Sequence, residues 1–388
     1  MDEQDDLRDW MILLRTPGLG PEGLRERLRA ADGRIGRVLA QLRQRMAVLE
    51  PAARSWLKQP DAARLQADLD WLAEPGHRLL RCTEADFPPQ LETIPQPPAA
   101  LFVVGDAGLL LHPQVAIVGA RGASAAGLAN ARSFARELAQ AGLRVTSGMA
   151  DGIDGAAHAA ALEVGAPTLA VIGTGADRVY PRKHEALARQ IAAQGALVSE
   201  FPLGTAARAA QFPRRNRIIA GLALGTLVIE ASLRSGSLIT ARLAVEQGRE
   251  VFALPGSIHH PLARGCHRLI RDGAHLVEAA AEIVEVLAPA ARQLGVELAA
   301  RLAADPVSVP SSPPAATATV HHPAAAADEQ EAAYCRLLRL LGHDPVTLDE
   351  LAARTGQPVA ALSPMLLELE LDGRVEGLPG SRYQRLAG

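Results

Sequence analysis

The period of the apolar positions changes along the chain. At the start it is helical: Leu7, Trp10, Met11, Leu13 and Leu14 fall on one helical face. The breaker Thr16-Pro17-Gly18-Leu19-Gly20-Pro21 follows, and a second helical pattern covers 23–31. In the middle, six short β-prone runs recur, at 115–118, 144–146, 168–172, 197–199, 226–229 and 250–254. Most intervals between them carry a helical pattern, as at 125–141, 155–164 and 238–247. Alternating strands and helices predict βαβ units and a doubly wound parallel sheet covered on both faces.

Punctuation divides the rest. Residues 77–109 read as a β-rich lead-in broken by Phe87-Pro88-Pro89 and Pro95-Gln96-Pro97-Pro98. Residues 289–328 are rich in Ala, Pro and Ser, a linker composition. Residues 329–388 regain helical period over 331–341, 348–355 and 359–371, then predict a hairpin across 374–386. The expected organisation is a helical domain (1–76), a Rossmann-like domain (77–288), a linker (289–328) and a winged-helix-like domain (329–388). The helix, Gly-x-Gly turn and helix at the start have the form of a helix-hairpin-helix, whose turn amides can hold a phosphate. A purely structural bundle is the stronger reading of that near-neutral segment.

The candidate chemistry lies where the six strands end. The following loops are Gly119-Ala120-Arg121-Gly122-Ala123-Ser124, Ser147-Gly148-Met149-Ala150-Asp151-Gly152, Gly173-Thr174-Gly175 with Tyr180-Pro181-Arg182-Lys183, Glu200-Phe201-Pro202, Glu230 through Ser237, and Pro255-Gly256-Ser257. In an open parallel sheet, ligands bind beyond the carboxyl ends of the strands. Glycines such as Gly148, Gly152 and Gly173 let a ligand approach backbone amides, and helix N-termini favour anions. Ser235-Gly236-Ser237 opens one helix as such an anion seat. Arg214-Arg215-Asn216-Arg217 opens another with planar donors suited to phosphate. Ser124 and Lys183 complete the candidate set. No GxGxxG and no GxxxxGK[ST] is present, so glycine content does not argue for a dinucleotide or ATP, and no cofactor is expected.

Composition and charge sharpen this. The 388 residues, 48% hydrophobic and 21% charged, make a globular chain of two or three domains. The net charge of −3 excludes a uniformly basic coat, but residues 205–272 hold 10 basic and 4 acidic residues. Positive charge is thus concentrated in the middle and masked by an acidic C-terminal segment. Lysine occurs only at Lys58 and Lys183, so arginine richness alone says little. Cys82, Cys266 and Cys335 are widely spaced, which fits a reducing compartment. With no secretory h-region and no membrane-length apolar run, a cytoplasmic protein without a membrane partner is expected. His259, His260, Cys266 and His267 have irregular spacing, which argues against a metal site. No nucleophile–base pair stands out, so no catalytic residue is assigned and a non-enzyme is expected. Asp151 and Asp154 read as helix caps and partners of loop amides, His158 as a half-buried structural histidine, and Tyr180 and Phe212 as core or base-stacking rings.

The order of these motifs closely resembles the DNA-processing protein A family (DprA, also called Smf). The stretches Phe212-Pro213-Arg214-Arg215-Asn216-Arg217-Ile218-Ile219-Ala220-Gly221 and Ser235-Gly236-Ser237-Leu238-Ile239-Thr240 carry most of that resemblance. It is dense over 78–285 and looser in the flanking domains. The resemblance implies an extended Rossmann-like sheet, a small N-terminal helical (helix-hairpin-helix or SAM-like) domain and a C-terminal winged helix. It also implies single-stranded DNA binding without base specificity, a homodimer, and loading of the recombinase RecA during natural transformation. Carried over by residue, it places DNA contacts at Arg121, at Arg182, at Arg214 through Arg217, and beside them at Ser235 through Ser237. Ala126-Gly127 and His184 depart from the family's usual residues. The third C-terminal helix, 358–371, has no Lys or Arg and two Glu, which predicts a protein-contact role over groove reading. The alternative is a nucleotide N-glycosidase on a similar sheet, with Glu200, Glu230 and Arg234 as its working groups.

Overall fold

A computed structural model of the chain describes residues 3–304 and, beyond them, Leu337, Val346–Thr347, Leu351, Thr355, Leu362, Leu366, Leu369, Val375–Leu378 and Arg382–Arg385. Its first part is a bundle of α1 (Glu3–Leu14), α2 (Pro21–Ala30), α3 (Ile35–Gln44), α4 (Pro51–Lys58) and α5 (Ala62–Leu72). The apolar stripe of α1 drives this: Trp10, Met11 and Leu13 are buried with Leu24, Leu28, Ile35 and Leu39. The turn after α1 is closed by Thr16 Oγ1 donating to the Ile12 carbonyl, by Gly18 at positive φ, and by Pro21 at the first position of α2. The bundle packs on the sheet through Leu79, Ala100 and Phe102. Arg15, bonded to Asp68, also donates to the Leu203 carbonyl at 3.0 Å.

The sheet comprises β1 (His77–Arg81) and, after the short α6 (Pro89–Glu92), β2 (Ala100–Gly105) and β3 (Gln114–Gly119). Then α7 (Ala125–Gln140), β4 (Arg144–Ser147), α8 (Ile153–Glu163), β5 (Thr168–Val171), α9 (Glu185–Gln194) and β6 (Ala196–Ser199) alternate. They are followed by α10 (Gln211–Leu222), β7 (Gly225–Ile229), α11 (Ser237–Glu246), β8 (Glu250–Ala253), α12 (Arg264–Arg271), β9 (His275–Leu276) and α13 (Ala280–Ala304). All six runs read from the sequence are strands, each parallel to its neighbours among them. The order is β1-β2-β6-β5-β4-β3-β7-β8-β9. The expected Rossmann-like sheet is extended at one edge by β1 and β2, which pair antiparallel. Antiparallel pairing needs no crossover helix, and the connection from β1 to β2 carries only the short α6.

Alternate strand residues serve two faces. Val115, Ile117, Leu227 and Ile229 pack with α7, α8 and α13, while Ala116, Val118 and Val228 pack with α10 and α11. Strand order reverses between β3 and β7, which share an edge from Val115 opposite Gly225 to Gly119 opposite Ile229. That reversal opens a crevice beyond the strand ends.

One expectation is corrected. Residues 289–304, assigned to the linker by composition, continue α13 through Pro289. Ile283, Leu287 and Leu294 are buried against the α7 face, with Leu298 packed beside them. This helical register outweighs one proline. The rest of the expected linker, 305–328, lies outside the described residues.

The second compact unit is described at fewer positions. There β10 (Val346–Thr347), β11 (Val375–Leu378) and β12 (Arg382–Arg385) form an antiparallel sheet in the order β10-β12-β11, and β11–β12 is the expected hairpin. Leu337, Leu351, Leu362, Leu366 and Leu369 are helical and buried, one or more in each of the three expected helices. Glu368 and Glu370 lie outside the described residues. Among the described residues no helix is long and apolar enough to cross a membrane.

Candidate functional site

A cleft of about 870 Å³ opens at the switch point. The loop after β3 supplies Arg121, the loop after β7 supplies Ser232 and Ser235 through Ser237, and the first turns of α10 supply Phe212, Arg215 and Asn216. Tyr180, from the loop after β5, stands at its side. Arg121 is exposed and has no carboxylate partner among the described residues. Its guanidinium lies over the Phe212 ring, 5.6 Å from the centroid. Tyr180 is 48% exposed, its ring 5.7 Å from that of Phe212 and tilted by 43°. Phe212 is half-buried, with Arg215 also over its ring at 5.9 Å, so the bare cation and the exposed Tyr180 ring are the groups that can hold phosphate and stack a base.

The floor is a buried polar network. Arg215 donates to the carbonyls of Gly148 (2.6 Å) and Val171 and to Asn216 Oδ1 (3.2 Å). Burial lowers its pKa to about 10; Asp154 resists the shift and Arg121 adds to it. Arg215 therefore stays charged at neutral pH, but much of its donor capacity is spent on the protein's own carbonyls. Asp154 Oδ2 accepts from the amides of Gly148 (3.1 Å) and Ala150 (3.3 Å). Burial raises its pKa, opposed by Arg215 and by these amides. The expected amide-binding role of Asp154 is thus present, but the α8 cap is Gly152, and Asp151 instead pairs with Lys183 (2.9 Å). Gly152 has φ +76°, and a side chain there would overlap the Ala120 carbonyl, so the loops after β3 and β4 touch because this residue is glycine.

The arginine run separates. A helix places residues three apart on one side, and Arg214 and Arg217 both turn to Glu200. Arg217 is buried in an ion pair with it, and Arg214 stands 3.9 Å from Glu200 Oε2 and over the Phe201 ring. Neither lines the cleft. The run read from the sequence as planar donors suited to phosphate lies in three environments: Arg215 in the floor, Asn216 at the cleft and Arg214 with Arg217 on Glu200.

The remaining candidates divide in the same way. Ser235 Oγ and Ser237 Oγ lie 2.7 Å apart at the start of α11, and Gly236 faces open space. Ser124 caps α7 by accepting from the Gly127 amide at 3.0 Å and is bonded to Glu230. Gly148 lies under the Arg215 guanidinium, and Gly173 backs the Phe212 ring. Arg182 and Lys183 are exposed on a short turn of 3-10 helix and do not line the cleft.

His158 is fully buried. Its Nδ1–H donates to Thr168 Oγ1 at 2.8 Å, because Thr168 spends its own proton on the Val145 carbonyl. Nε2 has no partner, and burial, reinforced by His184 and Arg215, lowers the pKa to about 3. The half-buried position expected from the sequence is corrected to a neutral histidine inside the core.

A second depression, about 790 Å³, lies between the bundle and the sheet. The Gly18-x-Gly20 turn is in its wall, together with Glu22, Glu50 and Glu200 and with Arg27 and Arg214. The Glu50 carboxylate packs against Gly18, and Arg27 donates to the Gly23 carbonyl at 2.8 Å. Acid surrounds the turn amides, which opposes the helix-hairpin-helix phosphate role. The carboxylates considered for glycosidase chemistry do not converge either. Glu200 is paired with Arg217, while Glu230 accepts from the Ser124 amide and hydroxyl. The link between Glu230 and Ser124 spans 106 residues, and nothing in local sequence announces it.

A mixed sheet with a polar cleft at its switch point, joined to a small three-stranded helical unit, defines a Rossmann-like, winged-helix class of protein. The family model for DNA recombination-mediator protein A matches residues 78–288, and that for the DprA winged helix domain matches 321–381. The chain belongs to this DNA-processing (DprA/Smf) family. It is 44% identical over 325 residues to Protein Smf of Escherichia coli, covering 83% of this chain and 81% of that one. It is 45% identical over 198 residues to DNA processing protein DprA of Streptococcus pneumoniae, 51% of this chain and 70% of that one. The crystal structure of DprA from S. pneumoniae superposes with a TM-score of 0.64 at 35% identity, covering 72% of this chain and 97% of that one. A DprA structure from Helicobacter pylori, which gives insight into that protein's single-stranded DNA binding mode, matches with TM-score 0.50 at 28% identity, covering 55% and 96%.

Proposed function

We propose that this protein binds single-stranded DNA in the switch-point cleft without base specificity, protects incoming strands, and as a homodimer helps load a RecA recombinase onto them. The observation that carries the reading is Arg121. It is an exposed guanidinium with no acidic partner among the described residues, lying over Phe212 and close to Tyr180, with the start of α11 across the cleft. Phosphates meet Arg121, the charge of Arg215, the Gly236 amide and the Ser235 and Ser237 hydroxyls, while a base stacks on the exposed Tyr180 ring. Arg182, Lys183 and Arg214 are exposed and extend the positive surface outside the cleft. The H. pylori relative's single-stranded DNA binding mode supports the ligand class. The family supports the place in recombination.

The reading is of a binder and not an enzyme, since Glu200 and Glu230 are each held by internal partners. The winged helix serves protein contact. The test is fluorescence anisotropy of labelled oligo-dT with the full chain. Binding that prefers single strand to duplex and weakens on Arg121→Ala is expected. Equal affinity for both strand forms, or indifference to Arg121→Ala, would remove the cleft from the account.

A further inference from the structure

The groove between the bundle and the sheet, about 790 Å³, shares no lining residue with the switch-point cleft. Glu200 is the buried acid of its wall, with a side chain only 7% exposed. Oε1 is held by Arg217, but Oε2 is buried and accepts no hydrogen bond. A carboxylate oxygen kept from water without a donor is costly, so this atom calls for a cationic partner. The resident cation answers poorly. Arg214 stops 3.9 Å short of Oε2, lies over the Phe201 ring at 5.4 Å from its centroid, and is half exposed. Glu22 and Glu50 stand in the same wall with no ion-pair partner among the described residues, and Arg27 spends a donor on the Gly23 carbonyl. The potential in the groove therefore favours a positive guest. Apolar surface continues from this acid. Leu14, Leu19 and Leu49 are half-buried in the wall, and Val48 beside them is 85% exposed. A small cation would satisfy Glu200 and leave these side chains in water, whereas a chain segment covers both.

We propose that this groove docks an arginine-bearing, otherwise apolar segment of a partner protein. The incoming guanidinium takes the place of Arg214 over Phe201 and donates to Glu200 Oε2, while its apolar neighbours cover Leu14, Leu19, Leu49 and Val48. Arginine suits the seat better than lysine, because a planar guanidinium stacks on a ring and donates in its own plane at once. Arg214 is then the resident stand-in, and the segment binds by displacing it. The proposal does not rest on the DNA reading, because neither the groove nor its test involves the cleft.

The test is fluorescence anisotropy of a labelled Leu-Leu-Arg-Leu peptide with the full chain, against a twin carrying citrulline, which keeps the shape of arginine and loses its charge. The arginine peptide should bind about tenfold or more tighter than its twin, as a hydrogen bond to a buried charge requires. Gly20 has an extended backbone, φ −76°, and a side chain there would meet nothing within 4 Å, so Gly20→Arg should fold and put a competing guanidinium into the groove. It should weaken the arginine peptide by about tenfold or more. Arg214→Ala empties the seat and should tighten the peptide by about two- to fivefold, a gain that a damaged fold would not give. Four results would overturn the proposal. One is no binding, or equal binding of the citrulline twin. Another is indifference to Gly20→Arg, which would put the peptide elsewhere on the protein. A third is unchanged or weaker binding in Arg214→Ala. The last is free arginine amide binding as tightly as the peptide, which would make the groove a site for small cations.

Discussion

The switch-point cleft and the groove beneath the helical bundle are close in size, about 870 and 790 Å³, and glycine turns wall both. They differ in how their charges are spent. In the cleft, Arg121 is unpaired among the described residues and the carboxylate of Asp154 is turned onto backbone amides. In the groove, Glu22, Glu50 and Glu200 stand against two arginines, of which Arg214 lies near Glu200 and Arg27 is bonded to a carbonyl. A Gly-x-Gly turn becomes a phosphate seat only where the surrounding side chains leave its potential positive. The same lesson holds within α10, where neighbouring arginines play a structural or an electrostatic part according to the acid each one meets.

The strongest way to sharpen this contrast is to break the Arg217–Glu200 pair. Both side chains are buried, so Glu200→Ala leaves an uncompensated charge and should cost about 3–5 kcal/mol of stability. Urea unfolding checks this, and a loss below about 1 kcal/mol would show that the pair is solvated.

Arg121→Ala should instead leave stability within about 0.5 kcal/mol, being a surface change. It should weaken oligo-dT binding by about 1.5–3 kcal/mol, the worth of a hydrogen bond to a charged group. Tyr180→Ala should cost about 1–3 kcal/mol per stacked base and leave the salt dependence unchanged. Anisotropy titrations at two salt concentrations separate the two variants.

Acid should act on the buried core behind the cleft. His158 titrates near 3 when folded, against an unfolded value of 6.5. Between these values the unfolded chain binds the extra proton, so stability falls as pH drops, by about 1.4 kcal/mol per pH unit. Asp154, raised by burial, has the opposite sign and opposes the loss only where it protonates. Urea midpoints at pH 7 and pH 5 read the slope, and His158→Asn should flatten it.

The smallest effect belongs to the groove. Glu50→Gln should change DNA affinity by less than about twofold, because that carboxylate is remote from the cleft and screened. A large gain would make the Gly18-x-Gly20 turn a DNA contact after all.

Much of the fold was legible because it is written in local period. The six strands and the helices between them follow from alternating apolar runs, and the loops at their ends are where the cleft formed. What the sequence did not show depends on partners distant along the chain. Arg214 through Arg217 look equivalent until helical geometry turns two of them to Glu200. Ser124 looks like an anion donor until Glu230 arrives from the end of β7. Residues 289–304 look like linker because alanine and proline hide the spacing of Leu287, Leu294 and Leu298, which extends the helix.

The central claim is that the cleft, and Arg121 in it, meets the strand, while Arg217 serves the fold. The most direct test is the salt dependence of oligo-dT affinity for wild type, Arg121→Ala and Arg217→Ala. For single strands the slope of log K against log salt is about −0.7 per phosphate neutralised. The account predicts that Arg121→Ala makes the slope shallower by about 0.7 for one lost contact. Folded Arg217→Ala should keep the wild-type slope. A wild-type slope in Arg121→Ala with a shallower one in Arg217→Ala would contradict it, and would move the DNA to the Glu200 side of α10.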